Sequence, residues 1–257
     1  MFSSSKPQPR TGKKETRQKI DSAQKTGLLS LAQHGLGEIP PQVWQIDILK
    51  NLDISSNDLA EIPSQIGCLS ALKTLKVNNN KLQGLPSEFR TLPKLGIFFA
   101  ADNRLESGVL AQLPAVVTKL ILPRNCIAAL GSASHLVKLQ VLDLTANGCS
   151  CLDGIGSLVG LVDLNLDDNA IETVPAEVAS LKRLKILSLR NNRITGHMVE
   201  GFQALPKELF TATSLERLNL EGNSIKRREL DAFEGAEAWV ERRAKTKQKD
   251  AGVHMME

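Results

Sequence analysis

Between residues 26 and 225 the apolar positions recur in a fixed frame of short runs. Residues 72–86 read LKTLKVNNNKLQGLP, which fits L-x-x-L-x-L-x-x-N-x-L-x-x-L-P. The asparagine of this frame returns at Asn57, Asn80, Asn103, Asn125, Asn147, Asn169, Asn192 and Asn223, and His34 holds the same slot one unit earlier. Successive slots lie 23, 23, 23, 22, 22, 22, 23 and 31 residues apart. Nine units in register at this period predict a stack of coils rather than a globular core.

Each slot has a physical reason. Pairs such as Leu75 and Val77, or Leu164 and Leu166, flank one residue of a period-two alternation, so both point inward from a short strand while the residue between points out. A third apolar residue (Leu59, Leu82, Leu105, Ile127, Ile171, Ile194) returns the chain to the core. The asparagine amide carries donors and an acceptor, and so satisfies backbone groups that a tight turn would bury unpaired. One coil buries too little apolar surface to offset the entropy of ordering it; stacked coils share a core. The predicted fold is an α/β right-handed solenoid of nine repeats, with a concave parallel sheet and a short helical cap at each end.

This frame resembles the leucine-rich repeat family over about residues 26–225. The segments EIPPQVW (38–44), EIPSQIG (61–67), GLPSEFR (84–90) and TVPAEVA (173–179) are similar to the convex segments of plant Ras-group-related and Shoc2-like intracellular scaffolds. Gly108, Leu130 and Leu152 lack the following proline, so the convex loops there are expected to be less regular. AQKTG (23–27), LPKELF (205–210) and EGNSIKRREL (221–230) with the basic helix beyond resemble the leucine-rich-repeat-containing protein 57 family. Members of that family often carry a glycine at position two suited to myristoylation; Phe2 stands there in this chain, so the resemblance implies no such anchor. It implies no enzymatic activity either.

The flanks read differently from the repeats. Residues 1–14 (MFSSSKPQPRTGKK) form a basic, Ser- and Pro-rich tail expected to be disordered. Residues 15–25 read as a polar helix covering the first coil. Residues 226–249 place Leu230, Phe233 and Val240 at helical spacing, with Trp239 beside them, as an amphipathic cap with a basic end. Residues 250–257 are expected to be a second tail.

Composition adds a compartment to this picture. Leucine accounts for 39 of the 257 residues, tyrosine is absent, and the net charge is +4. Residues 26–225 carry 17 basic and 19 acidic residues, while residues 1–25 carry seven basic against two acidic. There is no apolar run of membrane-spanning length, no apolar segment in residues 1–20 and no Asn-x-Ser/Thr sequon. Four scattered cysteines make no disulfide framework. A monomeric, cytoplasmic protein of a reducing compartment is expected.

Catalytic and metal chemistry find no support. Cys149 and Cys151 share one coil, but Cys149 takes a leucine slot and reads as a buried structural thiol. His34, His135, His197 and His254 are far apart in the frame. The string GIGSLVG (154–160) has glycine spacing similar to phosphate loops, yet it falls on the convex side and opens no helix. No cofactor or metal is expected, and the chain reads as a non-enzyme.

The outward positions of the concave strands are not needed for folding. Position five of the repeats reads Ser30, Asp53, Lys76, Phe99, Ile121, Asp143, Asn165, Ser188, Asn219, so two large apolar residues stand side by side where solvent is expected. Ile97 and Lys119 adjoin them at position three, and Lys73, Lys76 and Arg124 lie around them. Asp143, Asp163, Asp167 and Asp168 form an acidic field one or two coils on. An apolar centre with charged flanks is the pattern of a protein-binding face. The bland alternative is that position five accepts β-formers generally and that the acids are a solvated face. Arg242, Arg243, Lys245, Lys247 and Lys249 end the C-terminal helix. They complement the helix dipole, or touch anionic lipid or an acidic partner. Nucleic acid is disfavoured, since the run lacks stacking aromatics. The expected function is scaffolding or adaptor binding of another protein in intracellular signalling. A peripheral membrane adaptor and a ribonucleoprotein component are the alternatives.

Overall fold

The computed structural model describes residues 12–131, 133–196, 198–199 and 202–253. Nine three-residue strands form one parallel sheet: β1 (Leu28–Ser30), β2 (Asn51–Asp53), β3 (Thr74–Lys76), β4 (Ile97–Phe99), β5 (Lys119–Ile121), β6 (Val141–Asp143), β7 (Asp163–Asn165), β8 (Ile186–Ser188) and, after a longer excursion, β11 (Arg217–Asn219). Each pairs with its sequence neighbour in unbroken register, so Leu29, Leu52, Leu75, Phe98, Leu120, Leu142, Leu164, Leu187 and Leu218 make one inward column. These leucine slots form a single core running the length of the stack. The excursion holds a two-strand hairpin, β9 (Met198–Val199) with β10 (Phe202–Gln203), and a short helix, α2 (Lys207–Thr211), and accounts for the long final spacing.

The ladder asparagines tie each coil to the one before it. Asn125 Nδ2 donates to Ala100 O at 2.9 Å and to Leu122 O at 3.0 Å, while its Oδ1 accepts Leu105 N–H at 3.0 Å. Asn57, Asn80, Asn103, Asn147, Asn169, Asn192 and Asn223 likewise donate to a carbonyl of the preceding coil. His34, on the first coil, has no preceding coil, and its ring bonds Ala32 O at 2.7 Å and Lys19 Nζ at 3.2 Å. The residue before each ladder position is left-handed: Gln33, Ser56, Asn79, Asp102, Arg124, Ala146, Asp168 and Asn191 have φ between 50° and 61°. Only Gly222, in the last coil, holds that slot with a glycine among the nine coils.

The convex side follows the prolines. Pro40, Pro63, Pro86 and Pro175 precede single 3-10 turns, and their carbonyls accept the N–H of Val43, Ile66, Phe89 and Val178 at 3.0–3.1 Å. Where proline is missing, the turns are Ser107–Gln112 and the brief Ile155–Ser157, and none is assigned between Cys126 and Leu136 among the described residues.

The ends are helical. α1 (Lys13–Thr26) lies against β1, burying Ile20 and Ala23, and stops at Gly27 with φ 71°. Residues 1–11 of the N-terminal tail, and 254–257 at the other end, lie outside the described residues. The C-terminal segment is two helices, α3 (Arg227–Leu230) and α4 (Ala236–Val253), instead of the one expected over 226–249. Gly235 breaks them, at φ 83°, where an added Cβ would stand 2.8 Å from Thr211 Cγ2. The anchors also differ from expectation. Phe233 and Trp239 are buried and Leu230 is partly so, whereas Val240 is 49% exposed.

Candidate protein-binding face

Two columns of outward residues cover the concave sheet. Strand register places Leu28, Asn51, Thr74, Ile97, Lys119, Val141, Asp163, Ile186 and Arg217 in one, and Ser30, Asp53, Lys76, Phe99, Ile121, Asp143, Asn165, Ser188 and Asn219 in the other. Ile97, Phe99, Ile121 and Val141 are therefore contiguous across β4, β5 and β6, all half-buried. Val141 occupies position three of its repeat, an outward slot as legible in the repeat frame as position five.

Phe99 is the centre of this group. The Lys76 ammonium stands 5.7 Å from its ring centroid and that of Lys119 5.8 Å, one from each neighbouring strand. Both distances fall within the range of cation–π attraction. The ring on the other face of β4, Phe98, is fully buried and packs on Phe89 with centroids 5.1 Å apart. The Phe-Phe pair thus divides its labour: one ring holds the core, the other faces outward between two cations.

Position five also has a structural use. Asp53 Oδ1 accepts Ser55 N–H at 3.0 Å, Asp143 Oδ1 accepts Thr145 N–H at 2.9 Å, Asn165 Oδ1 accepts Asp167 N–H at 3.1 Å, and Asn219 Oδ1 accepts Glu221 N–H at 3.1 Å. An Asp or Asn there closes an Asx turn at the strand end. Three consecutive coils dispense with it. After Lys76, Asn78 N–H is taken by Ser55 Oγ at 3.2 Å; after Phe99, Ala101 N–H is taken by Asn78 Oδ1 at 2.8 Å. After Ile121 stands Pro123, which has no N–H. Lys76, Phe99 and Ile121 are thus free of the turn's demands.

The charged flanks divide between sheet and rim. Asp143 and Asp163 lie on the sheet; burial raises the Asp163 carboxyl above its usual range, opposed by the charges of Arg217 and Lys119 and reinforced by Asp143. Asp167 and Asp168 lie in the turn beyond β7, where Asp167 Oδ1 accepts Arg190 N–H at 2.8 Å and Asp168 Oδ1 accepts Asn191 Nδ2 at 2.7 Å. Arg124 stands on the same rim, in a left-handed turn, with its guanidinium on the Asp102 carboxylate (Nη2 to Oδ2 2.6 Å), which holds Asp102 below its usual range. Lys73 is exposed ahead of β3, at the opposite end of the strands. The patch itself is therefore Lys76, Ile97, Phe99, Lys119, Ile121 and Val141, bordered by Asp143 and Asp163; Lys73, Arg124, Asp167 and Asp168 sit away from it.

Elsewhere the chemistry is structural. Cys149 is buried with Sγ 2.8 Å from Ile127 O, and burial pushes its thiol up to about 11. In the 154–160 string, a Cβ on Gly156 would meet Glu177 O at 2.8 Å and one on Gly160 would meet Val137 O at 2.5 Å, so these glycines serve close stacking of coils. Among the described residues no three His, Cys, Asp or Glu gather as metal ligands, and no helix is long and apolar enough to cross a membrane. In the basic C-terminal run, Arg242 bonds Phe210 O and, at 3.2 Å, Leu215 O, and Arg243 lies 5.5 Å from the Trp239 ring centroid. Lys245 is exposed, and the side chains of Lys247 and Lys249 lie outside the described residues.

The leucine rich repeat family model matches residues 183–205. The chain superposes on a leucine-rich repeat protein of Leptospira interrogans with TM-score 0.69 and 28% identity, over 79% of this chain and 56% of that one. A plant peptide hormone receptor, RGFR1, solved in complex with RGF2, gives TM-score 0.57 and 25% identity over 79% of this chain and 37% of the receptor. A stretch of 86 residues, 32% of this chain, is 38% identical to the MAP kinase phosphatase with leucine-rich repeats protein 1 of Dictyostelium discoideum. That stretch spans 10% of the phosphatase. The nine-strand sheet, its asparagine ladder and these likenesses make the chain a leucine-rich repeat protein. Such proteins generally mediate protein–protein interactions.

Proposed function

We propose that the chain is a non-enzymatic intracellular adaptor, cytoplasmic, that binds another protein on its concave sheet around Phe99, Ile97 and Ile121. One observation carries this reading: Lys76, Phe99 and Ile121 stand on three consecutive coils in which Ser55, Asn78 and Pro123 leave position five free of closing the turn, and there, unlike at Ser188, where Asp167 plays the same part, the freed position holds a large side chain. An aromatic held between two ammonium groups on a parallel sheet supplies a rigid anchor, apolar area and positive charge together. The partner surface it suits is an apolar pocket edged by carboxylates. The likeness to a receptor solved in complex with RGF2 supports use of the repeats for recognition, and the phosphatase likeness supports a place in signalling.

A photo-crosslinking amino acid placed at Lys76, on the concave face, or at Arg90, on the convex 3-10 turn Ser87–Thr91, tests the reading. Partner adducts from the Lys76 position and none from Arg90 are expected. Adducts from Arg90 alone would overturn it.

A further inference from the structure

The two ends of the solenoid are closed unequally. On the first coil, under α1, Leu29 and Leu31 are 4% and 0% exposed. On the last coil the equivalent Leu218 and Leu220 remain half-exposed, with Ile225 and Leu230 beside them. α4 closes only the beginning of that coil: Trp239 Nε1 donates to Glu216 O at 3.3 Å and Arg242 Nε to Leu215 O at 3.2 Å. Further along, β11 is the last strand of the sheet, and no described strand pairs with its outer edge. One coil earlier, Leu189 N–H crosses to Asn219 O at 2.9 Å; its equivalent, Leu220, has no strand beyond it. An open edge over half-exposed leucines is a template for strand addition.

We propose that a second copy of this chain covers the edge, β11 pairing antiparallel with β11 of the other copy about a two-fold axis at Asn219. The charge pattern selects this occupant and this register. Leu218 and the N–H of Leu220 present unpaired backbone groups, while Leu220 O already accepts Asn223 N–H at 3.2 Å and Asn223 Nδ2 at 3.0 Å, so the two-fold can centre on Leu218, Asn219 or Leu220. Only the Asn219 centre sets Arg217 opposite Glu221 of the second copy, and symmetry makes that pair twice. It also sets Leu218 opposite Leu220 on the core side, where both need cover. Centring on Leu218 sets Glu221 opposite Leu215, and centring on Leu220 sets it opposite Asn219. Arg217 is exposed, and Glu221, which pairs with Arg190 at 3.2 Å, keeps 72% of its side chain open. The arrangement continues the sheet from one molecule into the next and differs from the monomer expected from sequence.

Sedimentation velocity of the full chain over a range of micromolar concentrations tests this. A reversible dimer is expected. Arg217→Glu and Glu221→Arg each place like charges opposite one another twice and should weaken the dimer by roughly tenfold or more. Combining them restores opposite charges and should restore the dimer. Thermal unfolding of each variant verifies that the fold persists, and Arg217→Gln with Glu221→Gln replace any variant that loses it, with a smaller weakening in the same direction expected. A monomer at every concentration, a dimer indifferent to the single reversals, or a charge swap that fails to restore it would each overturn the proposal.

Discussion

The side-chain oxygen of Asn147 accepts Ile127 N–H at 3.1 Å, while its amide nitrogen donates to Leu122 O at 2.9 Å, so one residue ties its own coil to two points of the coil before it. Both contacts are buried. Replacing Asn147 or Asn125 with Ala leaves buried backbone groups unpaired and should cost about 1–3 kcal/mol. His34→Ala, whose ring bonds only its own coil and Lys19, should cost less. Urea unfolding midpoints of the three variants check this ordering.

The end cap depends on one ring. Trp239 is buried, packs 6.3 Å from Phe210 between centroids, and donates to Glu216 O. Trp239→Ala should therefore destabilise by about 3–5 kcal/mol. Val240→Ala, at an exposed neighbour, should stay within about 0.5 kcal/mol. Differential scanning calorimetry of both variants separates the two positions.

Backbone conformation gives a paired test before each ladder asparagine. Ala146 sits at φ 54° with a Cβ, a conformation that costs about 1 kcal/mol, and Ala146→Gly should recover part of that cost. Gly222, at φ 77°, faces Asn191 so closely that an added Cβ would stand 1.9 Å from its Oδ1. Gly222→Ala should lower the unfolding midpoint, opposite in sign to Ala146→Gly.

Asp163 gives the sheet a pH signature. Because burial raises its carboxyl, the folded protein keeps that proton to a higher pH than the unfolded chain does. Its contribution to stability is therefore greatest below the ordinary carboxylate range and declines as pH rises through that range. Asp163→Asn removes the penalty. The variant should unfold at higher urea than the parent at neutral pH, and the gap should close as pH falls below the ordinary carboxylate range.

The repeat frame was legible because a solenoid writes its geometry one coil at a time. Leu75, Val77 and Asn80 have the same neighbours as Leu164, Leu166 and Asn169, so one slot rule describes nine strands. Phe99 and Ile121 were legible for the same reason, as apolar residues in an outward slot. What stayed hidden depends on contacts between coils or beyond the frame. That Ser55 and Asn78 serve the turns of the following coils, releasing Lys76 and Phe99, requires neighbours 23 residues apart to be seen together. The C-terminal cap shows the same limit: helical spacing favoured Val240, but the break at Gly235 rotates Trp239 inward instead.

On the proposed function, partner affinity resides in Phe99 and Ile121. The most direct measurement is the dissociation constant of the captured partner for two double variants, Phe99→Ser with Ile121→Ser, and Val137→Ser with Val159→Ser. The second pair is a control, since Val137 and Val159 are exposed apolar residues outside the strands, at 48% and 43%. The concave pair should weaken binding about thirtyfold or more, as loss of a central anchor of ~2 kcal/mol does, with the fold retained; the control pair should leave binding unchanged. Unchanged affinity in a folded Phe99→Ser, Ile121→Ser protein, or a loss confined to the Val137 and Val159 pair, would contradict the account.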